Sequence, residues 1–346
     1  MLRKIIKLSI ELVLLFFIVF LLIGHRLVIY GTSQGIGQVS IIWKAKPIEE
    51  MLKDKNFPDS LKQKLISIKE IKQYAVDSLG IKESNNYNSV YNQENKSVLL
   101  TVTACEPYSL KEKLWWFPFL GNVPYIGFFN KEEARKEILR LKEKNFDVNV
   151  YSPSGWSTLG WFNDPIQSNM LKQPTGSLAN LIIHELTHGT IFVKNNVTLN
   201  ENLANFIGNK GAEQFLIYRY GNNSTQLTTY KQSIADEKCY NKYILKSIER
   251  LDSLYHSIST KESEEIKKQK KVNLITEIVV GVNRLPLHKM KSYFNYSLRA
   301  FTEGNSFFMS FSRYDSQNDN FEKEFNEKYH SNLKLYLKTL KEQYKS

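Results

Sequence analysis

The sequence predicts an α+β fold, mostly helical, behind one N-terminal transmembrane helix. Three observations predict it. Ile5 to Ile23 form an apolar run broken only by Lys7, Ser9 and Glu11. Short runs rich in Val, Thr and aromatic residues fall between positions 88 and 162. After Pro174, apolar residues recur at helical spacing almost to the end.

Composition agrees. Hydrophobic residues at 42% and charged residues at 24% exclude a disordered or collagen-like chain, and 346 residues can bury a sizeable core. The formal charge of +12 is uneven: Arg3, Lys4, Lys7, Arg26, Lys44 and Lys46 against Glu11 leave +5 before position 47. The rest is dispersed, without the clustered Arg and Lys of a nucleic-acid surface, so no nucleic-acid partner is expected. Lys267, Lys268, Lys270 and Lys271 lie beside Glu262, Glu264 and Glu265 and read as solvated helix surface. Cys105 and Cys239 are too few for a disulfide framework and read as free thiols.

The elements follow in order. A span needs about 20 residues, and the dense run Leu12 to Ile23, extended through Leu27, Val28 and Ile29, reaches that length. No small-x-small cleavage site follows, which favours an uncleaved signal anchor over residues 1–30. Arg3, Lys4 and Lys7 put the N-terminus in the cytoplasm and residues 31–346 on the extracytoplasmic side. Ser60 to Leu79 is an amphipathic helix ended by Gly80. Asn88 to Tyr91 and Ser97 to Ala104 read as a hairpin around Asn92 to Asn95. Trp115 to Phe129, punctuated by Pro118, Gly121, Pro124 and Gly127, reads as a structured loop. Glu132 to Lys144 is a helix, and Val148 to Tyr151 and Trp156 to Phe162 are strands. Phe321, Phe325, Tyr329, Leu333, Leu337, Leu340 and Tyr344 form one long apolar stripe suited to core packing.

The chemistry concentrates at His184-Glu185-Leu186-Thr187-His188, within a helical run. Positions i and i+4 share a helix face, so both imidazoles can reach one ion. Glu185 can then address a water in an open coordination position. A catalytic zinc takes a third protein ligand. Val193 to Val197 reads as an inter-helix turn, after which Glu201 can face the two histidines. Asn205, one turn on, can fix an imidazole. The competing reading of Glu201 is a capping box with Thr198, which would tie its carboxylate to backbone. His256, His288 and His330 are rival ligands better suited to structural or surface positions.

These residues resemble the bacterial zinc aminopeptidases of the Aminopep type. The resemblance runs from Ser33-Gln34-Gly35-Ile36-Gly37-Gln38 through Pro118 to Phe129, Ser157 to Pro165 and the H-E-L-x-H with its following N-E-x-x-A, to Asn295-Tyr296-Ser297-Leu298. Many members look like lipoproteins; the cysteine that would carry the lipid is missing here. Asn200-Glu201 with Asn205 also looks like the glutamate-ligand helix of thermolysin-like enzymes, where an aspartate is usual in place of Asn205 and the interval from the second histidine is longer.

The resulting expectation is a zincin-like domain over 31–346, with a sheet-bearing part at about 31–170 and a helical part at about 171–346. It is a membrane-anchored Zn²⁺ peptidase, with His184, His188 and Glu201 as ligands and Glu185 as general base. Peptide is the substrate, and exopeptidase action rests on the resemblance. Ser157, Thr158, Leu159 and Gly160 are candidates for the strand that pairs with substrate. Tyr293, Tyr296 and His288 are candidate oxyanion donors. The alternatives are a zinc endopeptidase and a non-catalytic membrane-anchored scaffold with a structural zinc site. No protein partner is inferable.

Overall fold

The computed structural model describes residues 28–94, 96–117, 121–153, 163–315 and 317–344. The apolar run at 5–23, the substrate-strand candidates Ser157 to Gly160 and residues 118–120 of the aromatic segment lie outside the described residues. Among the described residues no helix is long and apolar enough to cross a membrane.

Helix α1 occupies residues 28–44. A short strand β1 (Lys46–Pro47) and helix α2 (Ile48–Lys53) lead into α3 (Asp59–Tyr74). In α3, Leu65, Ile68 and Ile71 recur on one face and are fully buried, which is why the segment is a helix docked on the core. Its last turn widens into a π turn at Ala75–Leu79, and Gly80 at φ 78° ends it in the left-handed conformation that glycine adopts without strain.

The strands are β2 (Ser89–Tyr91), β3 (Leu100–Cys105), β4 (Trp115–Phe117), β5 (Gly121–Val123), β6 (Ile126–Phe128), β7 (Asp147–Tyr151) and β8 (Ile166–Gln167), with helix α4 (Lys131–Glu143) between β6 and β7. They form sheets in the orders β1-β2-β8 and β6-β3-β7, plus the pair β4-β5. The expected hairpin does not form: β2 pairs antiparallel with β1 and parallel with β8 (Val90 opposite Ile166). The physical reason is the burial of β3 on both faces, from Thr101 to Cys105, which makes it a central strand that needs a partner on each edge. Those partners are β6 (Val102 opposite Ile126) and β7 (Val102 opposite Val150), both antiparallel. The expected aromatic loop is likewise corrected. Its described residues make β4, β5 and β6, with Gly121 at φ 78° opening the second of them.

The helical half comprises α5 (Thr175–His188), α6 (Val197–Tyr220), α7 (Thr225–Ser257), α8 (Glu264–Gly281), α9 (Met290–Ser297), α10 (Ala300–Glu303), α11 (Asn305–Asp315), α12 (Asn318–Tyr329) and α13 (Leu333–Gln343). The long apolar stripe is two helices rather than one. His330 and Ser331, at φ 48° and 59°, reverse the chain so that Phe321 and Phe325 of α12 meet Leu333, Tyr336, Leu337 and Leu340 of α13 in one core with α3, α5 and α6. A second core joins α7, α8, α9 and α11, and a third lies between α4 and the β6-β3-β7 sheet. Asp147 at the start of β7 pairs with Lys271 of α8 and accepts a 2.7 Å bond from the Asn305 amide, tying the sheet to the C-terminal helices. Gly304 sits against that carboxylate at φ 53°, where a Cβ would collide with it. Both cysteines are free thiols, Cys105 buried and Cys239 half-buried.

Candidate metal centre

Helix α5 is apolar on the face that carries Leu178, Ile182 and Ile183, so it packs into the main core and aims His184 and His188 toward α6. Two glycines let α6 lie close. A Cβ on Gly208 would stand 3.0 Å from the Asn180 carbonyl and 3.2 Å from the Cβ of His184; one on Gly211 would stand 3.0 Å from Ile183. The connection between the helices is fixed by Asn200, whose side-chain amide donates to the Val193 carbonyl (2.9 Å) and accepts from the Val193 amide (2.8 Å).

This arrangement brings three donor atoms together. His184 Nε2 and His188 Nε2 are 3.2 Å apart, and Glu201 Oε2 is 3.4 Å from the first and 3.6 Å from the second. A tetrahedral zinc site with bonds of about 2.0–2.1 Å places its donors roughly 3.3–3.4 Å apart. The residues therefore fit the ion that their chemistry implies, and they are the group of His, Cys, Asp and Glu side chains among the described residues positioned to hold a metal. The capping-box reading of Glu201 gives way, because the cap of α6 is Asn196, whose side chain accepts from the Leu199 amide at 3.1 Å. Thr198 is then already inside the helix, and the Glu201 carboxylate points at the imidazoles.

Burial and neighbouring charge shift Glu201, His188 and Glu185 from their ordinary values. Burial opposes ionisation of Glu201, but the charges and hydrogen bonds of His188 and His184 outweigh it and hold the carboxyl well below the usual range. Burial lowers His188, and the Glu201 carboxylate beside it more than compensates, leaving the imidazole above its ordinary value. Glu185 is also buried, and burial raises its carboxyl despite the two histidines. A carboxyl one residue along the helix from a candidate metal donor is placed to take and return a proton.

The triad opens on a cleft of about 460 Å³. Its walls are largely aromatic and aliphatic: Phe117, Val123, Tyr125 and Ile126 from the strand region, Phe192 from the α5–α6 connection, and Tyr30 from α1. Tyr30 is held there by its hydroxyl, which donates to the Gly127 carbonyl at 2.8 Å, and by edge contact with Phe128. Among the described residues Glu185 and Glu201 are the only carboxylates lining the cleft.

The structure places the other candidates as follows. Asn205 stands one turn beyond Glu201 on α6, half-buried. Tyr293 packs against Tyr240 in the second core, with Tyr296 beside them, and neither is among the described residues that line the cleft. His288 is engaged with Asp236, His256 with Asp252, and His330 caps α12. Sequence reading missed Tyr30 and Gln34 as parts of the site, and quoted Asn200 in the N-E-x-x-A block without its bonds to Val193. The signal for Gln34 was its place in the resemblance block Ser33 to Gln38; Gln38 of that block donates to Asp164 (3.2 Å), a residue of another such block.

A family model described as "Putative aminopeptidase", Aminopep, matches residues 29–345. The chain belongs to the Aminopep family. The match covers every residue of the His-His-Glu centre and both cleft walls, so in this Aminopep protein the centre lies within the family region rather than in an appended segment. No curated protein and no solved structure matches the chain.

Proposed function

We propose that this Aminopep protein is a membrane-anchored, zinc-dependent peptidase of zincin type. The observation that carries the reading is the triangle of His184, His188 and Glu201, with Glu185 buried one residue along the same helix. A zinc ion held by the triangle supplies Lewis acidity toward water and toward a peptide carbonyl. The protein's own part is proton handling and positioning. Glu185 takes the proton of the attacking water at its carboxylate and returns it to the leaving amine nitrogen. The aromatic walls exclude water and receive apolar side chains of a peptide. The strand candidates Ser157 to Gly160 would pair with its main chain. A scaffold with structural zinc has no use for Glu185, since structural sites are closed by a fourth ligand. Residues 1–30, through their apolar run at 5–23, anchor the chain, and the catalytic part acts on the extracytoplasmic side; digestion of a C-terminal tag by protease added to intact spheroplasts tests that orientation.

One observation favours a second reading. An aminopeptidase must recognise a free α-amine, and among the described residues the cleft offers no acid beyond the two the centre uses. An endopeptidase needs none. Hydrolysis of peptides with free and with N-acetylated termini by the zinc-loaded protein decides between them. Cleavage of the free set alone supports the aminopeptidase, cleavage of both the endopeptidase, and cleavage of neither refutes a peptidase.

A further inference from the structure

Helix α1 has two unlike faces. Tyr30, Gln34, Gln38 and Ile41 face the protein, the first two at the cleft. Ile29, Ile36, Val39 and Trp43 face outward and are 59%, 67%, 52% and 88% exposed. At the helical period those four fall within an arc of about 80°, opposite the inward set. From Leu27 to Trp43 the sequence holds no Asp, Glu, Lys, Arg or His, in a protein where such residues are common. An uncharged exposed stripe of this length marks a contact surface.

We propose that the outer face of α1 lies against a lipid bilayer, so that the domain rests on the membrane with its cleft beside the surface. The inference rests on reading residues 5–23 as an anchor. Chain length then selects lipid over other occupants: from Ile23 to Val28 is five residues, which reach at most about 18 Å even fully extended. Trp43 at the other end of the helix is followed by exposed Lys44 and Lys46. An indole with adjacent basic residues is the pairing that membrane interfaces favour, the ring at headgroup level and the ammonium groups on anionic lipid. Val28, Ile29, Ile36 and Phe129 also line an open furrow along the helix in which acyl chains can lodge.

The test uses the full chain in vesicles of mixed phosphatidylcholine and phosphatidylglycerol, with a photo-reactive benzoylphenylalanine introduced in separate variants at Ile36, at Val39 and, as a control, at exposed Lys338 of α13. Each variant is first matched to the parent by melting temperature. The expected result is a lipid adduct at 36 and 39 and none at 338. Vesicle-bound protein with no lipid adduct at 36 or 39, or with adducts only to a second copy or another protein, would overturn the inference and leave the anchor intact. A chain that does not sediment with vesicles at all overturns the anchor and the inference together.

Discussion

Asn200 bonds both the amide (2.8 Å) and the carbonyl (2.9 Å) of Val193 with a single side-chain amide, and its neighbour in sequence is Glu201 of the His-His-Glu centre. The turn that returns the chain from α5 to α6 is thereby locked to the first turn of α6, and the carboxylate is delivered to the histidines in one geometry. Asn200→Ala leaves the Val193 amide and carbonyl without these partners, at a cost of about 1–3 kcal/mol. Loss of an outer support typically weakens metal binding by about 10–100-fold. Zinc competition titration and thermal melting of the same variant check both; normal zinc affinity would show that the turn holds without Asn200.

Glu201 and Asn196 should separate cleanly. On the proposed function, Glu201→Gln removes a charged metal donor but keeps its size, so zinc affinity should fall steeply while the fold persists. Asn196→Ala removes the helix cap and costs about 1 kcal/mol with zinc content unchanged. Metal stoichiometry and melting temperature on the pair are the measurement, and equal zinc loss in both would contradict the division of labour drawn from the 3.1 Å cap bond.

The helices of the site were legible in the sequence because their signals are local. The i, i+4 histidines and the apolar run before them specify one face of α5, and Gly80 specifies the end of the π turn after α3. Strand pairing was not legible, since β2 and β3 are near in sequence but belong to sheets closed by β8 and β7, residues far along the chain. The same holds for Gln38 and Asp164, which meet across 126 positions. The bonds of Asn200 to Val193 were missed because a buried asparagine carries no periodic signature; that role exists only once the turn has formed.

Gly208 should tolerate little. A Cβ there stands 2.7 Å from Asn180 Oδ1 and 3.0 Å from a backbone carbonyl, so Gly208→Val has to force α5 and α6 apart. Overpacking of this kind costs about 1–3 kcal/mol, and here the displacement also separates Glu201 from His184. Lower melting temperature together with weakened zinc binding is expected; a stable variant with native zinc affinity would show that the close crossing is not what sets the ligand geometry.

Asp236 gives a pH dependence remote from the metal. It is buried on α7 and accepts the His288 amide (2.9 Å), the His288 ring (2.7 Å) and the Lys289 amide (2.9 Å). Burial pushes its carboxyl up, but these hydrogen bonds carry it below its ordinary value. The folded state therefore holds fewer protons at this group than the unfolded chain between the two pKa values. Its stabilisation is full above the unfolded value, near 3.9, and is lost as pH falls through the folded value. Asp236→Asn should cost about 1–3 kcal/mol at pH 7 and flatten the acid side of a urea-unfolding profile. An unchanged slope below pH 4 would assign that slope to other carboxylates.

Gln34 lines the cleft, and its Nε2 is buried with no hydrogen-bond partner among the described residues. A buried donor left unmade costs about 1–3 kcal/mol, and an apolar side chain of the same shape avoids that cost. Gln34→Met should therefore hold or raise the melting temperature. If the donor serves a carbonyl of bound peptide, the same change raises KM by about tenfold, the worth of one hydrogen bond of about 1.4 kcal/mol, with kcat and zinc content little altered. Gln34→Glu keeps the size and removes the donor, so it should weaken peptide binding as well. Tighter binding of free-amine peptides by Gln34→Glu would instead show that this position accepts from the α-amine. A fall of several degrees in the melting temperature of Gln34→Met would show that the amide makes a structural bond.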